Sequence, residues 1–277
     1  MRVSLAAAGL ALAVAALTLL PVLALAAAPA AQPDPQLFPP DRRIIHNFHA
    51  PATGPVKIAF FDADSTLRVA PSGKPSANGP TDVAILPMLS EKLKKLRDDG
   101  YLLAVASNQA GIAAGFVTFD TANGAMRFAL SQLSRLGVQF HYYDFAEAND
   151  DNRKPDIGMA RRLAGKIEQE LGRKVDWDHT IMVGDSAWKK GVDVEPDGTP
   201  GEDVSNADRL FAENMAKAFG GVTFAHPRNF FAWLRFGIKN FDTYQTLTKF
   251  LGEHPELDPG VNATVAPAAD PATPAAR

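Results

Sequence analysis

Apolar positions along the chain fall into two alternating rhythms. Short runs rich in apolar residues, Val56–Phe61, Leu102–Ala106, Val138–Phe145, Thr180–Val183 and Val222–Phe224, read as buried strands. Between them the spacing turns helical. Leu86, Leu89, Leu93 and Leu96 form one stripe, with Lys92, Lys94, Lys95 and Arg97 between them. A second helix is predicted near Asp120–Leu136, and Ile157, Ala160, Leu163, Ala164, Ile167 and Leu171 mark a third. Strand–helix alternation of this kind predicts an α/β fold, a doubly wound parallel sheet with helices on both faces. In such sheets ligands sit beyond the carboxyl ends of the strands.

The two ends of the chain follow neither rhythm. Met1-Arg2 is a short positive start, and Val3 to Leu20 carries no charge. Pro21 breaks the run, and Ala24-Leu25-Ala26 offers a small-residue cleavage site. Residues 1–26 therefore read as a secretory leader. Val3 to Ala28 is also long enough to span a bilayer, so an uncleaved anchor is the alternative. Either way the rest of the chain is expected to be exported, to a periplasm or beyond. Residues 27–40 are a Pro/Ala-rich linker, 41–257 the folded domain, and 258–277 a disordered tail. Asn262-Ala263-Thr264 in that tail matches a glycosylation acceptor by chance.

Composition narrows the chemistry. With 277 residues, 46% of them hydrophobic, the chain can bury a full core. Lys plus Arg number 28 against 31 Asp plus Glu, a net charge of -3, so a basic footprint spread over the whole surface is excluded. The absence of cysteine rules out disulfides, zinc–thiolate sites and a thiol nucleophile. The six histidines show no ligand spacing and read as structural or exposed. Gly73-Lys74 is no P-loop, since Arg68 stands where its first glycine belongs and Pro75 where Ser or Thr belongs. No kinase half is present in the sequence.

The strand ends carry the chemistry-bearing residues. Asp62 and Asp64 follow the first strand, two positions apart, where both carboxylates can converge on one point. Ser107-Asn108-Gln109-Ala110-Gly111 follows the second, a hydroxyl and an amide at a glycine turn, suited to donating hydrogen bonds to phosphate. Arg153-Lys154-Pro155 places cations before the third helix, and Gly184-Asp185 leaves the fourth strand. Arg153, Lys189 and Lys190 are positioned to flank such a site and contact neighbouring phosphates.

These residues resemble the haloacid-dehalogenase-type phosphatase superfamily over nearly all of the folded unit. More narrowly, the sequence is similar to polynucleotide kinase 3′-phosphatase domains. The resemblance rests on Asp62-Ala63-Asp64-Ser65-Thr66-Leu67, Ser107-Asn108-Gln109-Ala110-Gly111-Ile112, Asn152-Arg153-Lys154-Pro155 and Val183-Gly184-Asp185. The most specific stretch is Asn206-Ala207-Asp208-Arg209-Leu210-Phe211-Ala212 with Asn214. Two positions depart from the pattern. Ser65 replaces a frequent glycine, and Lys189 stands where the DNA phosphatases usually carry arginine.

The resemblance implies a Mg²⁺-dependent phosphomonoesterase working through an aspartyl-phosphate. In that scheme Asp62 is the nucleophile and Asp64 the acid–base partner. Ser107 and Asn108 bind the phosphate oxygens, Lys154 neutralises charge, and Asp62, Asp185 and the main-chain oxygen of Asp64 hold the metal. Asp203 matches a second acidic position. Cations are needed there, because a carboxylate and a phosphate charge repel by about 4 kcal/mol at ~4 Å and an effective dielectric of ~20.

Spacing bears on the substrate. Asp64 and Ser107 are 43 positions apart, and Ser107 and Lys154 are 47 apart. Neither interval leaves the roughly 50 residues of an inserted cap domain beyond its own helix and strand. A capless, open site is expected, one that accepts polymeric ends such as the 3′-phosphates of DNA or RNA. An extracytoplasmic phosphatase for nucleotides or other small phosphate esters is the alternative. A monomer is expected.

Overall fold

The computed structural model describes residues 41–188 and 205–262. The leader, the linker, Lys189, Lys190, Asp203 and residues 263–277 lie outside the described residues.

Five parallel strands form the central sheet: β1 (Val56–Phe61), β4 (Leu102–Asn108), β5 (Tyr142–Ala146), β6 (Val175–Val183) and β7 (Thr223–Ala225), in the order β5-β4-β1-β6-β7. Their side chains sort by pleat. Val56, Ile58, Phe60, Leu102, Ala104 and Met182 pack on one face with α3 (Gly158–Leu171) and α4 (Ala207–Phe219). Ala59, Phe61, Leu103, Val105, Tyr143 and Val183 pack on the other with α1 (Leu89–Asp98), α2 (Phe119–Arg135) and α6 (Tyr244–Glu253). Burial on both faces is why β1 and β4 are dominated by apolar residues at successive positions rather than alternating ones. The expected doubly wound α/β sheet is the observed one. Among the described residues no cap domain interrupts it.

Boundaries moved where local chemistry overrides the pattern. Leu86 is buried, but Pro87 and the left-handed Met88 (φ 66°) intervene, so α1 begins at Leu89. Val138 and Phe140 are buried in the connection after α2, and β5 begins at Tyr142 rather than Val138. The two-stranded hairpin β2 (Arg68–Val69) with β3 (Ala84–Ile85), the short helix α5 (Pro227–Phe230) and α6 have no counterpart in the sequence reading. Packing also runs past Leu257. The Asn262 side chain accepts from Ile85 N at 2.7 Å and donates to Ile85 O at 2.9 Å, tying the segment after Leu257 to the hairpin.

Chain order and strand order together fix where a ligand belongs. From β1 the chain winds outward to β4 and β5, then returns to β6 and β7 on the opposite side of β1. The direction reverses between β1 and β6, and the crevice at their carboxyl ends is the switch point of the fold.

Candidate active site

Asp62 leaves β1 at this switch point, its N–H bonded to Val183 O of β6 at 2.9 Å. The turn that follows closes on itself, with Leu67 N and Arg68 N donating to Ala63 O and Ser65 N donating to Arg68 O at 2.8 Å. Ser65 sits at φ 56°, a left-handed conformation that glycine adopts without steric penalty. The turn directs Asp62 and Asp64 into a cleft of about 580 Å³ that Ser107, Asn108, Arg153, Lys154 and Asp185 also line.

Lys154 organises the floor. Its ammonium lies 2.6 Å from Asp62 Oδ1 and 2.6 Å from Asp208 Oδ1, and its side chain is 2% exposed. Burial alone works against its charge, but Asp208 and then Asp62 outweigh that and raise its pKa above the usual lysine range. Asn108 fixes the main chain there. Its Oδ1 accepts from Lys154 N at 2.9 Å and its Nδ2 donates to Lys154 O at 3.0 Å. The Asn108 side chain expected on phosphate oxygens is thus engaged in holding Lys154, because the loop peptide has no ladder partner there. Asp62 Oδ2 makes no hydrogen bond among the described residues, although the residue lines the cleft.

Asp62, Asp185 and Asp208 each present a carboxylate oxygen, all within 4.8 Å of one another. Asp185 is pushed up, by burial first and then by Asp208 and Asp62. Asp208 is raised to about 6, by burial against the pull of Lys154 and with repulsion from Asp62. Such a set of hard oxygen donors suits a divalent cation. Asp64 contributes no carboxylate to this group. Its Oδ1 accepts from Arg68 Nε at 3.0 Å and its Oδ2 from Gln109 Nε2 at 2.8 Å. Gln109 also reaches Ser107 Oγ at 3.2 Å, and Thr66 Oγ1 donates to Asp185 at 3.3 Å.

Of the residues singled out in the sequence, Asp62, Asp64, Ser107, Asn108, Arg153, Lys154 and Asp185 meet at one cleft. Lys189 and Asp203 fall outside the described residues. Asp208, in the first turn of α4, is the acidic residue that the sequence reading assigned no role. A signal was available, since Asp208, Phe211, Ala212 and Met215 form the buried stripe of α4, and a carboxylate on an apolar stripe asks for a partner. Gly184 makes the contact possible, because a Cβ there would lie 2.3 Å from Asp208 Oδ2. Lys74, Pro75 and Ser76 also line the cleft. Their loop is held by Asp82, which accepts from Ser72 N at 2.8 Å, Ser72 Oγ at 2.6 Å and Asn78 N at 3.0 Å.

A parallel sheet with this Asp-x-Asp turn, the Ser107-Asn108 end of β4, a buried lysine and a second acidic pair at its switch point defines a phosphatase of the haloacid-dehalogenase type, a hydrolase of phosphate monoesters. Residues 57–231 match the polynucleotide kinase 3 phosphatase family model. The chain is 30% identical over 189 residues to the bifunctional polynucleotide phosphatase/kinase of Schizosaccharomyces pombe, covering 68% of this chain and 40% of that relative. It is 31% identical over 164 residues to an uncharacterised 20.8 kDa protein of Autographa californica nuclear polyhedrosis virus, covering 59% of this chain and 81% of the viral one. A probable D-glycero-D-manno-heptose-1,7-bisphosphate 7-phosphatase of Thermoplasma volcanium is 28% identical over 134 residues, 47% of this chain and 86% of that one. Among solved structures, a putative HAD-like phosphatase from Mesorhizobium loti aligns with a TM-score of 0.43 at 19% identity, over 61% of this chain and 90% of that one. This chain belongs to the polynucleotide kinase 3 phosphatase family.

Proposed function

We propose that the protein is a Mg²⁺-dependent phosphomonoesterase that removes 3′-phosphates from polynucleotide ends through a phosphoenzyme on Asp62. The observation that carries the reading is the pairing of Lys154 with Asp62 and Asp208. One oxygen of Asp62 is anchored and the other is left for phosphorus. Asp62, Asp185 and Asp208 are the residues that would hold the metal, and a bound Mg²⁺ supplies charge neutralisation toward phosphate. In the first half-reaction Asp62 bonds to phosphorus, the ester P–O bond breaks, and Asp64 gives a proton to the leaving oxygen. In the second, Asp64 takes a proton from water as its oxygen attacks phosphorus, and the bond to Asp62 breaks to release phosphate. Ser107 faces the cleft as a donor, and Arg153 and Lys74 lie at its lining to meet phosphates next to the terminal one.

Family membership supports the polynucleotide end as substrate, and so does a cleft without a cap among the described residues. In the exported protein that the leader implies, such ends would be extracytoplasmic. The test is a substrate panel of a 3′-phosphorylated oligonucleotide, a mononucleotide 3′-phosphate and a sugar phosphate. The oligonucleotide should have the highest kcat/KM, and its advantage should shrink with salt and with Lys74→Ala plus Arg153→Ala. Equal kcat/KM across the panel would select the small-ester reading, which the resemblance to the heptose bisphosphate phosphatase favours. Asp62→Asn should abolish turnover and the phosphoenzyme, and an active Asp62→Asn protein would overturn the mechanism.

A further inference from the structure

Arg68 sits where an apolar residue would be expected. It opens β2 directly after the Asp62–Leu67 turn, is 1% exposed, and is flanked by Leu67 and Val69 of the main apolar cluster. Its Nε donates to Asp64 Oδ1 at 3.0 Å. Its Nη1 and Nη2 are buried with no hydrogen-bond partner among the described residues. A buried guanidinium with two unpaired nitrogens is costly, and its one ion pair, with a carboxylate that is 19% exposed and also bound by Gln109, offsets only part of that cost. Stability is therefore a weak reason for an arginine here.

The reason lies in its one partner. An aspartate carboxyl can turn about two torsions, and one hydrogen bond leaves it free to rotate. Asp64 is bound at both oxygens, by Arg68 from the turn and by Gln109 from the end of β4. Gln109 is 4% exposed and its N–H is anchored to Ala146 O at 2.8 Å, so both donors are fixed to the sheet. Arg68 is fixed as well, because its main-chain N–H and carbonyl close the turn onto Ala63 and Ser65. We propose that Arg68 is a positioning residue for proton transfer, holding the Asp64 carboxyl within reach of the oxygen that leaves the phosphorus Asp62 attacks. This rests on the reading of Asp64 as proton donor, and the test separates the two.

The measurement is leaving-group dependence. An alkoxide must be protonated as it leaves, whereas p-nitrophenolate leaves without a proton. Misplacing a catalytic group by about 1 Å can lose 10²-fold, so Arg68→Met should lower kcat/KM for the best alkyl phosphate of the panel about tenfold or more. For p-nitrophenyl phosphate kcat/KM should stay within about threefold, because that ratio reports only the steps through phosphoenzyme formation. Its kcat should still fall, with phosphoenzyme accumulating, since Asp64 also activates the water.

Asp64→Asn is run in parallel and should show the same split. If Asp64→Asn splits the two substrates and Arg68→Met lowers both alike, the role of Arg68 is overturned alone. If Asp64→Asn shows no split, the assignment of Asp64 fails and that of Arg68 with it. Should Arg68→Met not fold, Arg68→Lys decides. It keeps the charge but not the Nε geometry, so a split in the same sense supports the proposal and its absence overturns it.

Discussion

Replacing Lys154 by alanine would leave Asp62, Asp185 and Asp208 facing one another with no ammonium between them. Their oxygens lie within 4.8 Å of one another. At that distance two unit charges repel by roughly 3.5 kcal/mol at an effective dielectric of ~20. Three such repulsions are more than a fold of this size tolerates, so the variant takes up protons instead. The groups to take them are already disposed to it, because Asp208 is raised to about 6 and Asp185 is raised by burial in the native protein. Removing one partner of a buried ion pair costs about 3–5 kcal/mol, and Lys154→Ala should lose stability in that range near pH 8. The sign with pH follows from linkage. A carboxyl whose pKa is raised in the folded state binds a proton that the unfolded chain has already released, so stability falls as pH rises, by about 1.4 kcal/mol per unit for each proton. The penalty should therefore shrink as pH drops toward about 5. Urea unfolding of native protein and variant at matched ionic strength, from about pH 5 to 8, gives the difference curve. A penalty that does not change with pH, or one below about 1 kcal/mol near pH 8, would refute the electrostatic account.

Two further outcomes follow from the same geometry and from the core. Gly184→Ala would place its Cβ 2.3 Å from Asp208 Oδ2 and 2.7 Å from Asp208 Cβ, forcing the start of α4 away from Lys154. It should cost about 1–3 kcal/mol and lower kcat more than it raises KM, read by thermal melts and steady-state kinetics. His141 is buried and neutral, its Nδ1 accepting from Leu103 N at 3.0 Å, and its pKa is lowered from 6.5 to about 4, chiefly by burial. The unfolded chain therefore binds a proton that the folded one refuses. Stability should fall by roughly 3 kcal/mol between about pH 6.5 and 4, a slope that His141→Gln should flatten in pH-dependent unfolding.

The sheet was legible because both of its faces are buried. Apolar runs such as Ile58–Phe61 and Leu102–Ala106 can be read without knowing their neighbours, and helical spacing identified α1, α2 and α3. The hairpin at Arg68–Val69 and Ala84–Ile85 was not legible. Two-residue strands leave no period to detect, and the hairpin is held by Asp82 and by Asn262, a residue 177 positions from Ile85. The candidate site divided in the same way. Asp62, Asp64, Ser107, Lys154 and Asp185 stand at strand ends or one helix start, where the topology itself calls attention to them. Asp208 and Arg68 do not. Asp208 shows its role through a contact across the fold, with Lys154, and Arg68 through a local one, with the carboxylate of Asp64 four positions back. In both cases the readable sign was a charge at an apolar position, and the structure supplied the partner.

That sign also bears on how the site handles charge. The floor sets three carboxylates against one ammonium, so when fully ionised it repels the dianion it is proposed to bind. Raised pKa values on Asp185 and Asp208 give one escape, since a proton on each would neutralise the floor. Protons alone do not serve catalysis, however, because the same acidity that neutralises these neighbours would also disarm a carboxylate nucleophile close by. A divalent cation held by Asp62, Asp185 and Asp208 would relieve the repulsion while leaving Asp62 ionised, and it would compete with protons for these oxygens. Lys154 then acts differently from the metal. Pinned between Asp62 and Asp208, it fixes the anchored oxygen of Asp62, and Asn108 keeps it there through the main chain. Arg153 and Lys74, also on the lining, would act in the proposed reaction on the remainder of the substrate and so on its selection.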